Sequence, residues 1–413
     1  MKKAKFLIEK EDKGELILCN TFFGSVVSLN EEYKEYYKRI LNGDSEEIEE
    51  VKEVFLEQKL IFNSDVEENE AIDEILSFQD KKSLNLTILP TTACNMKCEY
   101  CFENLKPYSS TIETGNQICK WVENLQKERE FEKIFVTWFG GEPLLNLRFI
   151  KETSKALLQW CNRNNIDYEA DIITNGTLLT KEVAQILADE CRVKKCQITI
   201  DGTEEIHNKR RILPNANGYQ IIIENITQVC KLIDICVRIN VDKNNKEDLD
   251  KLLLEIEKND TIKQNVYFYL GRVIGESERC MNKMEFNDIV ISFLSKLKKH
   301  NFKVTLSNLS LHGNLIPCVA MKENSFVIDA DGKLYKCYKI IGDADYCVGQ
   351  VGKVTEENRI EKTFKIDAEC KQCNILPFCM KFCCPVDDQG LMRYSGCKKE
   401  KETQLIKMIR MIQ

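Results

Sequence analysis

Histidine is nearly missing from this chain, at 3 residues in 413, and basic charge is not in excess. The one histidine that follows a strand-end motif, His207, has no carboxylate pair beside it. It therefore reads as a hydrogen-bonding group of the structure rather than a metal ligand. Lysine and arginine number 59 against 66 aspartates and glutamates, with the two signs mixed along the chain. The net charge of −7 argues against a nucleic-acid partner, which calls for a basic patch, and leaves a polypeptide or a small molecule. No uncharged apolar run comes near the roughly 20 residues that span a bilayer. The start, Met1-Lys2-Lys3-Ala4-Lys5-Phe6-Leu7-Ile8-Glu9, turns charged again after a short apolar stretch and is no secretory signal. A full-length cytoplasmic protein with no membrane partner is expected.

Cysteine, by contrast, is plentiful, at 20 residues. Thiols in a reducing cytosol are seldom paired as disulfides, so this abundance points to metal or redox work. With 43% hydrophobic and 30% charged residues, the composition is that of a globular protein long enough for two or three cores.

Residues 1–80 read as a separate module. A hairpin turns near Asp12-Lys13-Gly14, an apolar run covers Ser25 to Leu29, and helices follow. Asn30 caps the first helix, Glu31 and Glu32 favour its positive end, and Tyr33, Tyr36, Tyr37, Ile40 and Leu41 share a face expected to be core. A second, acidic helix is expected over Glu46 to Leu60. From Leu84 the texture changes to short apolar runs, each followed by a helical stretch: Leu84 to Leu89, Lys133 to Phe139, Glu169 to Thr174, Gln197 to Ile200, Val237 to Val241 and Val266 to Leu270. Such alternation predicts an α/β fold of repeated units around a parallel sheet over 81–305. Residues 306–413 are short strands, turns and nine cysteines, too irregular to bury a core without metal.

The motifs sit just after strands, at the carboxyl ends where parallel sheets keep their sites. After the first comes Cys94-Asn-Met-Lys-Cys98-Glu-Tyr100-Cys101. Three such cysteines can hold three corners of a [4Fe-4S] cube and leave the fourth iron open, with Tyr100 offering a flat face beside it. Zinc is the rival, although its structural sites use two CxxC knuckles and closed coordination. After the second strand, Gly140 and Gly141 allow close backbone approach to a ligand, and Glu142, held by Pro143, suits an ammonium group. After the third comes Thr174-Asn175-Gly176-Thr177, and after the fourth Thr199-Ile200-Asp201-Gly202 with His207 and Arg211. Polar groups here can bind hydroxyl and carboxylate groups; singly, each also reads as a turn or a cap.

Taken in order, and with Leu178-Leu179-Thr180 and Val237-Arg238-Ile239-Asn240-Val241-Asp242 added, these motifs resemble the radical S-adenosylmethionine enzymes over residues 84–275. The resemblance implies a partial (β/α)6 barrel, and a cluster on Cys94, Cys98 and Cys101 whose open iron chelates S-adenosylmethionine. An electron from the cluster then splits the sulfur to 5′-carbon bond, giving a 5′-deoxyadenosyl radical. It places Tyr100 near the adenine, Glu142 at the methionine ammonium, and Asn175, Thr199, Asp201 and Arg211 at the remaining polar contacts.

The later cysteines, Cys318, Gly332-x4-Cys337, Cys370-x2-Cys373-x5-Cys379-x3-Cys383 and Cys397, resemble the SPASM pattern. That extension implies two auxiliary [4Fe-4S] clusters, three in all: an outer one on Cys370, Cys373, Cys379 and Cys397, and an inner one on Cys318, Cys337 and Cys383. Zinc knuckles are the plainer alternative. The eighth cysteine of some members is here Asn324, so the inner cluster is expected to have an open iron, filled by Cys347, Cys384 or a substrate thiolate. Sulfatase-maturating members carry an aspartate after the second of these cysteines, where this chain has Tyr338, which weakens a formylglycine reading. The amino-terminal module resembles, in shape and position, winged-helix domains that take up a leader peptide as an added strand.

The expected activity is thioether formation, of the sactipeptide or ranthipeptide kind, in a ribosomally made precursor peptide, with a flavodoxin or ferredoxin-type electron donor. A carbon–carbon crosslink, epimerisation or a non-catalytic iron–sulfur protein are the rivals. Cys19, Cys119, Cys161, Cys191, Cys196, Cys230, Cys236 and Cys280 fit no motif and read as small apolar residues or free thiols.

Overall fold

The computed structural model describes residues 1–44, 48–101, 107–273, 278–304, 315–316, 318–363, 365–366, 368–381, 391–392, 405 and 409. Cys383, Cys384 and Cys397 lie outside the described residues. The chain forms two compact units, one of Lys81–Thr305 with Glu323–Arg359, the other of Met1–Asp80 with Leu306–Lys322 and Ile360–Gln413. No described helix is long and apolar enough to cross a membrane.

The larger unit is built on β1 (Ser83–Thr91), β2 (Lys133–Gly140), β3 (Asp167–Thr174), β4 (Val193–Thr199), β5 (Asp234–Val241) and β6 (Tyr267–Arg272). Helices α1 (Ile112–Arg129), α2 (Leu147–Asn164) and α3 (Lys181–Asp189) follow β1, β2 and β3 in turn. Helices α4 (Glu204–Arg210) and α5 (Gly218–Val229) follow β4, and α6 (Leu249–Ile256) and α7 (Asp260–Asn265) follow β5. Neighbouring strands are consecutive in sequence and all parallel. The six expected strands are therefore present, wound in one direction as successive β/α units.

Alternation along the strands decides which face the helices cover. On β2, Ile134, Val136 and Trp138 are buried, while Phe135, Thr137 and Phe139 between them are only half-buried. The Trp138 ring meets Phe149 of α2 edge-on at 6.2 Å. On β5 the covered residues are Ile235, Val237, Ile239 and Val241, and the half-buried face carries Cys236, Arg238 and Asn240. The strands thus present an apolar face to the helices and a largely polar face away from them.

The far edge of β1 is taken by β7 (Ser325–Ile328), which runs parallel to it and is followed by the antiparallel strands β8 (Lys333–Tyr335), β9 (Gly349–Gln350) and β10 (Lys353–Val354). Phe326 packs edge-on against Trp121 of α1 at 5.1 Å. The segment expected as one cysteine-rich domain is thus divided, and Glu323–Arg359 extends the sheet. An open parallel edge is a strong template for pairing, and four apolar or small residues in a row suffice to fill it.

In the smaller unit, strands Leu7–Asp12, Glu15–Asn20 and Val26–Leu29 form an antiparallel sheet whose hairpin turns at Lys13 and Gly14. Helices Glu31–Leu41, Glu49–Glu57 and Asp65–Asp80 follow, the first capped by Asn30, whose side chain accepts from the Tyr33 N–H at 3.0 Å. Both faces of the sheet are apolar. Leu7, Leu18 and Leu29 pack with Tyr37, Ile40 and Phe55, whereas Ile8, Ile17 and Cys19 pack with Cys370, Leu376, Phe378 and Cys379. The Asn374 side chain donates to the Leu7 carbonyl at 2.7 Å, and the Thr21 hydroxyl to the Asn374 carbonyl at 2.6 Å. The amino-terminal sheet and part of the late cysteine segment therefore share one core. Of the expected helical stripe, Tyr37 and Ile40 are buried; Tyr33, in the first turn, is 43% exposed and meets Tyr36 edge-on.

Trp138 is fully buried with an indole N–H that has no partner among the described residues. Trp138→Ala should lower stability by about 3–5 kcal/mol, and Trp138→Phe by clearly less, because no hydrogen bond is lost. Urea unfolding midpoints check the order.

Candidate active site

The cysteine loop leaves the end of β1 and is tied down from several sides. Lys97–Cys98 pairs antiparallel with Arg211–Ile212, so the middle cysteine is matched backbone to backbone with Arg211. The Glu99 N–H donates to the Arg210 carbonyl at 3.0 Å, and the Cys101 N–H to the Cys98 carbonyl at 3.2 Å. The Met96 N–H points at the Cys94 sulfur at 3.4 Å, and the Asn175 amide approaches it at 3.9 Å. That amide also donates to the Asn95 side chain at 2.7 Å, which joins the loop after β3 to the cysteine loop.

Gly140 and Gly141 lie against the same loop. A Cβ on Gly140 would stand 2.4 Å from the Thr91 carbonyl oxygen, and one on Gly141 would stand 2.3 Å from that of Ala93. Gly140 also has a φ of +125°, so no other residue suits the position. Beyond them, Glu142 is fully buried. Its carboxylate accepts from the Leu144 N–H at 3.0 Å, the Thr174 hydroxyl at 2.6 Å and the Asn175 N–H at 2.7 Å. Burial raises its pKa even so, with these donors and Arg211 pulling the other way. In this conformation the carboxylate binds the loop after β2 to the turn after β3. Pro143 opens the short helical turn Pro143–Asn146 just behind it.

A second knot surrounds Tyr100. Its hydroxyl donates to Asp201 and accepts from Arg211 Nη1 at 2.7 Å and from the Asn240 amide at 3.2 Å. Asp201, at the end of β4 just beyond the buried Thr199, also accepts from the Asn240 N–H at 3.1 Å. Arg210 spans Asp242 at 3.0 Å, Glu99 at 3.3 Å and Asp201 at 3.5 Å, with its guanidinium 5.2 Å from the Tyr100 ring centre. Burial works against the Arg211 charge, but Tyr100, Cys98 and Asp201 outweigh it, and its pKa is raised. His207 is buried; its Nδ1 accepts from the Asp201 N–H at 3.4 Å, the structural place expected of it.

Burial keeps the thiols of Cys94 and Cys98 protonated, so a metal that needs thiolates would have to displace their protons. Burial pushes Cys98 up to about 11, with Arg211 opposing and the neighbouring Cys101 and Cys94 adding to the rise. Burial likewise raises Cys94, against the donors Met96 and Asn175. Among the described residues no three Cys, His, Asp or Glu side chains converge on one point, so Cys94, Cys98 and Cys101 are not drawn together around a single centre in this structure. Of the later cysteines, Cys337, Cys370 and Cys379 are buried, and Cys318, Cys347 and Cys373 half-buried. Sequence reasoning missed Arg210 and gave Asn240 no role of its own within the strand motif; a doubled arginine and the alternate polar positions on β5 are the signals they leave.

Residues 88–256 match the family model described as the Radical SAM superfamily. The chain is 26% identical over 354 residues to the cysteine-type anaerobic sulfatase-maturating enzyme of Clostridium novyi (strain NT), covering 78% of this chain and 89% of that protein. It is 26% identical over 259 residues to the radical SAM cyclopropyl synthase TigE of Paramaledivibacter caminithermalis, covering 51% of this chain and 53% of that one. Among solved structures, native anSMEcpe with bound AdoMet and Kp18Cys peptide superposes with a TM-score of 0.63 at 21% identity, over 80% of this chain and 98% of that chain. Streptococcus suis SuiB bound to S-adenosylmethionine gives 0.54 at 15% identity, over 96% and 100%. Residues 88–256 are thus a Radical SAM domain, and the chain that carries it is an enzyme.

Burial holds the His207 pKa down to about 3, with the Arg211 charge adding to the effect. The unfolded chain, whose histidine titrates near 6.5, then binds the extra proton first. This contribution to stability is complete above pH 6.5 and is lost as pH falls toward 3. Unfolding midpoints between pH 7 and 4 should fall less steeply in His207→Gln than in the wild type.

Proposed function

We propose that this enzyme is a maturase that cleaves S-adenosylmethionine reductively and installs thioether crosslinks, from cysteine sulfur to an acceptor carbon, in a ribosomally made precursor peptide. In this reading Cys94, Cys98 and Cys101 hold the cluster, while Tyr100, Gly140, Gly141, Glu142, Pro143, Asn175, Thr199, Asp201 and Arg211 surround S-adenosylmethionine. Bound there, the cluster would supply the electron that releases a 5′-deoxyadenosyl group able to take hydrogen from an acceptor carbon. The chain's own part is to fix the loop against Arg211, hold charge beside the sulfurs and keep donors aimed at them.

The observation that carries the thioether reading is the state of Asn324. Its side-chain oxygen accepts from Arg129 at 2.7 Å, its amide donates to the Lys81 carbonyl at 2.7 Å, and the residue is buried. The position that would complete an inner auxiliary cluster is therefore committed elsewhere, which leaves room for a substrate thiolate on a cluster held by Cys318, Cys337 and Cys383. Cys370, Cys373, Cys379 and Cys397 would hold the outer one, and the two would accept the electron left over when the thioether forms. Tyr338, 38% exposed, stands where a formylglycine-forming relative is expected to have an aspartate. The Val26–Leu29 strand is an edge of the amino-terminal sheet, a place where a leader peptide can add as a further strand. Structures of SuiB with its precursor peptide SuiA and of anSMEcpe with Kp18Cys show relatives of this fold holding peptides. The electron donor would be a flavodoxin or ferredoxin and the setting cytoplasmic.

Forming a thioether replaces one S–H and one C–H bond by one S–C bond. Product mass should fall by two hydrogen atoms per link with one thiol consumed. A carbon–carbon link would spare the thiols, and epimerisation would leave the mass unchanged. Anaerobic reconstitution should give about twelve irons per chain. Cys98→Ala should abolish release of 5′-deoxyadenosine under dithionite, whereas Cys373→Ala should keep part of it but stop peptide turnover. Zinc in place of iron, or full activity in both variants, would overturn the assignment.

A further inference from the structure

Arg238 lies at the middle of the half-buried polar face of the sheet. Its Nε donates to the Asn240 side chain at 2.7 Å, and its Nη1 lies 3.5 Å from the Tyr269 hydroxyl, which itself donates to Gln197 at 2.5 Å. The guanidinium crosses the neighbouring strand at Gly271, where a Cβ would stand 2.5 Å from Nε and Nη2. A glycine on β6 thus leaves the space in which this arginine lies flat.

Among the described residues no carboxylate forms an ion pair with it; the side chains that meet it are Asn240 and Tyr269, both uncharged. The other two arginines of the site differ: Arg210 meets three carboxylates, and Arg211 sits beside Cys98 and, through Tyr100, Asp201. A half-buried cation with no ion-pair partner among the described residues is costly to hold, and an anionic ligand would supply the missing charge. The guanidinium is already oriented by Asn240 and Tyr269, so a planar two-point partner would meet a preformed fork. Asn240 also donates to the Tyr100 hydroxyl, so the fork is one residue removed from the cysteine loop.

We propose that Arg238 is the receptor for a carboxylate of the peptide substrate, and that it selects an acidic residue at the position next to the reacting centre. This rests on reading the chain as a peptide-modifying enzyme. The carboxylate of S-adenosylmethionine is the other source of the same chemistry, and the test separates the two.

The probes are N-acetyl-aspartate N-methylamide and its asparagine counterpart, titrated by saturation-transfer NMR against reconstituted full-length enzyme with saturating S-adenosylmethionine and no reductant. Wild type should bind the acid at least tenfold more tightly than the amide. Arg238→Gln should lose that preference, and Arg238→Lys, which keeps charge but not the fork, should lose most of it. Equilibrium dialysis of S-adenosylmethionine and the thermal midpoint serve as the check on folding. Equal binding of the two probes to wild type overturns the proposal, as does a preference that survives in Arg238→Gln. Loss of S-adenosylmethionine binding with the preference intact would assign Arg238 to that carboxylate and also overturn it. Because binding is read without turnover, a failure to crosslink any peptide would count against the proposed function and leave this result standing.

Discussion

The buried carboxylate of Asp201 is the point on which the site depends. It receives the Tyr100 hydroxyl from the cysteine loop, the Asn240 N–H from β5 and the Arg210 guanidinium from the end of α4. Its backbone is used as well: the N–H reaches His207, and the carbonyl accepts from Asn245 at 2.7 Å. One residue at the end of one strand therefore fixes the loop after β1, the neighbouring strand and the segments that follow both. A loop of eight residues with three cysteines has little apolar surface of its own with which to hold a shape. Charge-assisted hydrogen bonds to a buried carboxylate supply that shape without filling the space over the sulfurs.

The same arrangement sets the electrostatics. Thiols resist ionisation when buried, as Cys98 shows, yet metal ligation needs them as thiolates. Arg211 opposes the rise at Cys98 and is paired with that residue through the backbone, so loop and cation cannot drift apart. Glu142, held among three donors, adds to the rise that burial imposes on Cys94. Arg211 thus works against burial at both Cys98 and Cys94, with Asp201 adding to the rise at the first and Glu142 at the second.

Much of this was legible in the sequence, for reasons that differ from place to place. The six strands were visible because each carries a run of apolar residues on its covered face. The fourth was read short, from Gln197, because Lys194 and Lys195 precede it; Lys194 pairs with Glu169 on the neighbouring strand at 2.8 Å. The strand-end motifs were visible because tight turns and close approach demand particular residues, as at Gly140 and Gly141. Arg238 and Asn240 form part of a strand motif that names no role for them, since their partners Tyr269, Tyr100 and Asp201 come from three other segments. Register across the sheet brings them together, and register is not written in any one segment. The shared core of Ile8 and Ile17 with Leu376 and Phe378 was hidden for the same reason, although the two apolar faces of the amino-terminal hairpin were a sign that something must cover the second.

Asn324 has a structural use of its own. It opens β7, the strand that covers the free edge of β1, and its carbonyl accepts from the Asn85 N–H at 2.8 Å. Its side chain bridges Arg129, at the end of α1, to the Lys81 carbonyl just ahead of β1. The Ser110 hydroxyl adds a link between the Leu89 and Ala330 carbonyls, at 2.9 and 3.2 Å, so the edge is pinned near both of its ends. A thiol at position 324 could neither accept from the guanidinium nor replace the amide donor with comparable strength, and the part-buried bond to the Lys81 carbonyl would be lost. Asn324 therefore serves to attach the strand pair β7 and β8, and Cys337, two residues beyond the end of β8, is positioned by that attachment.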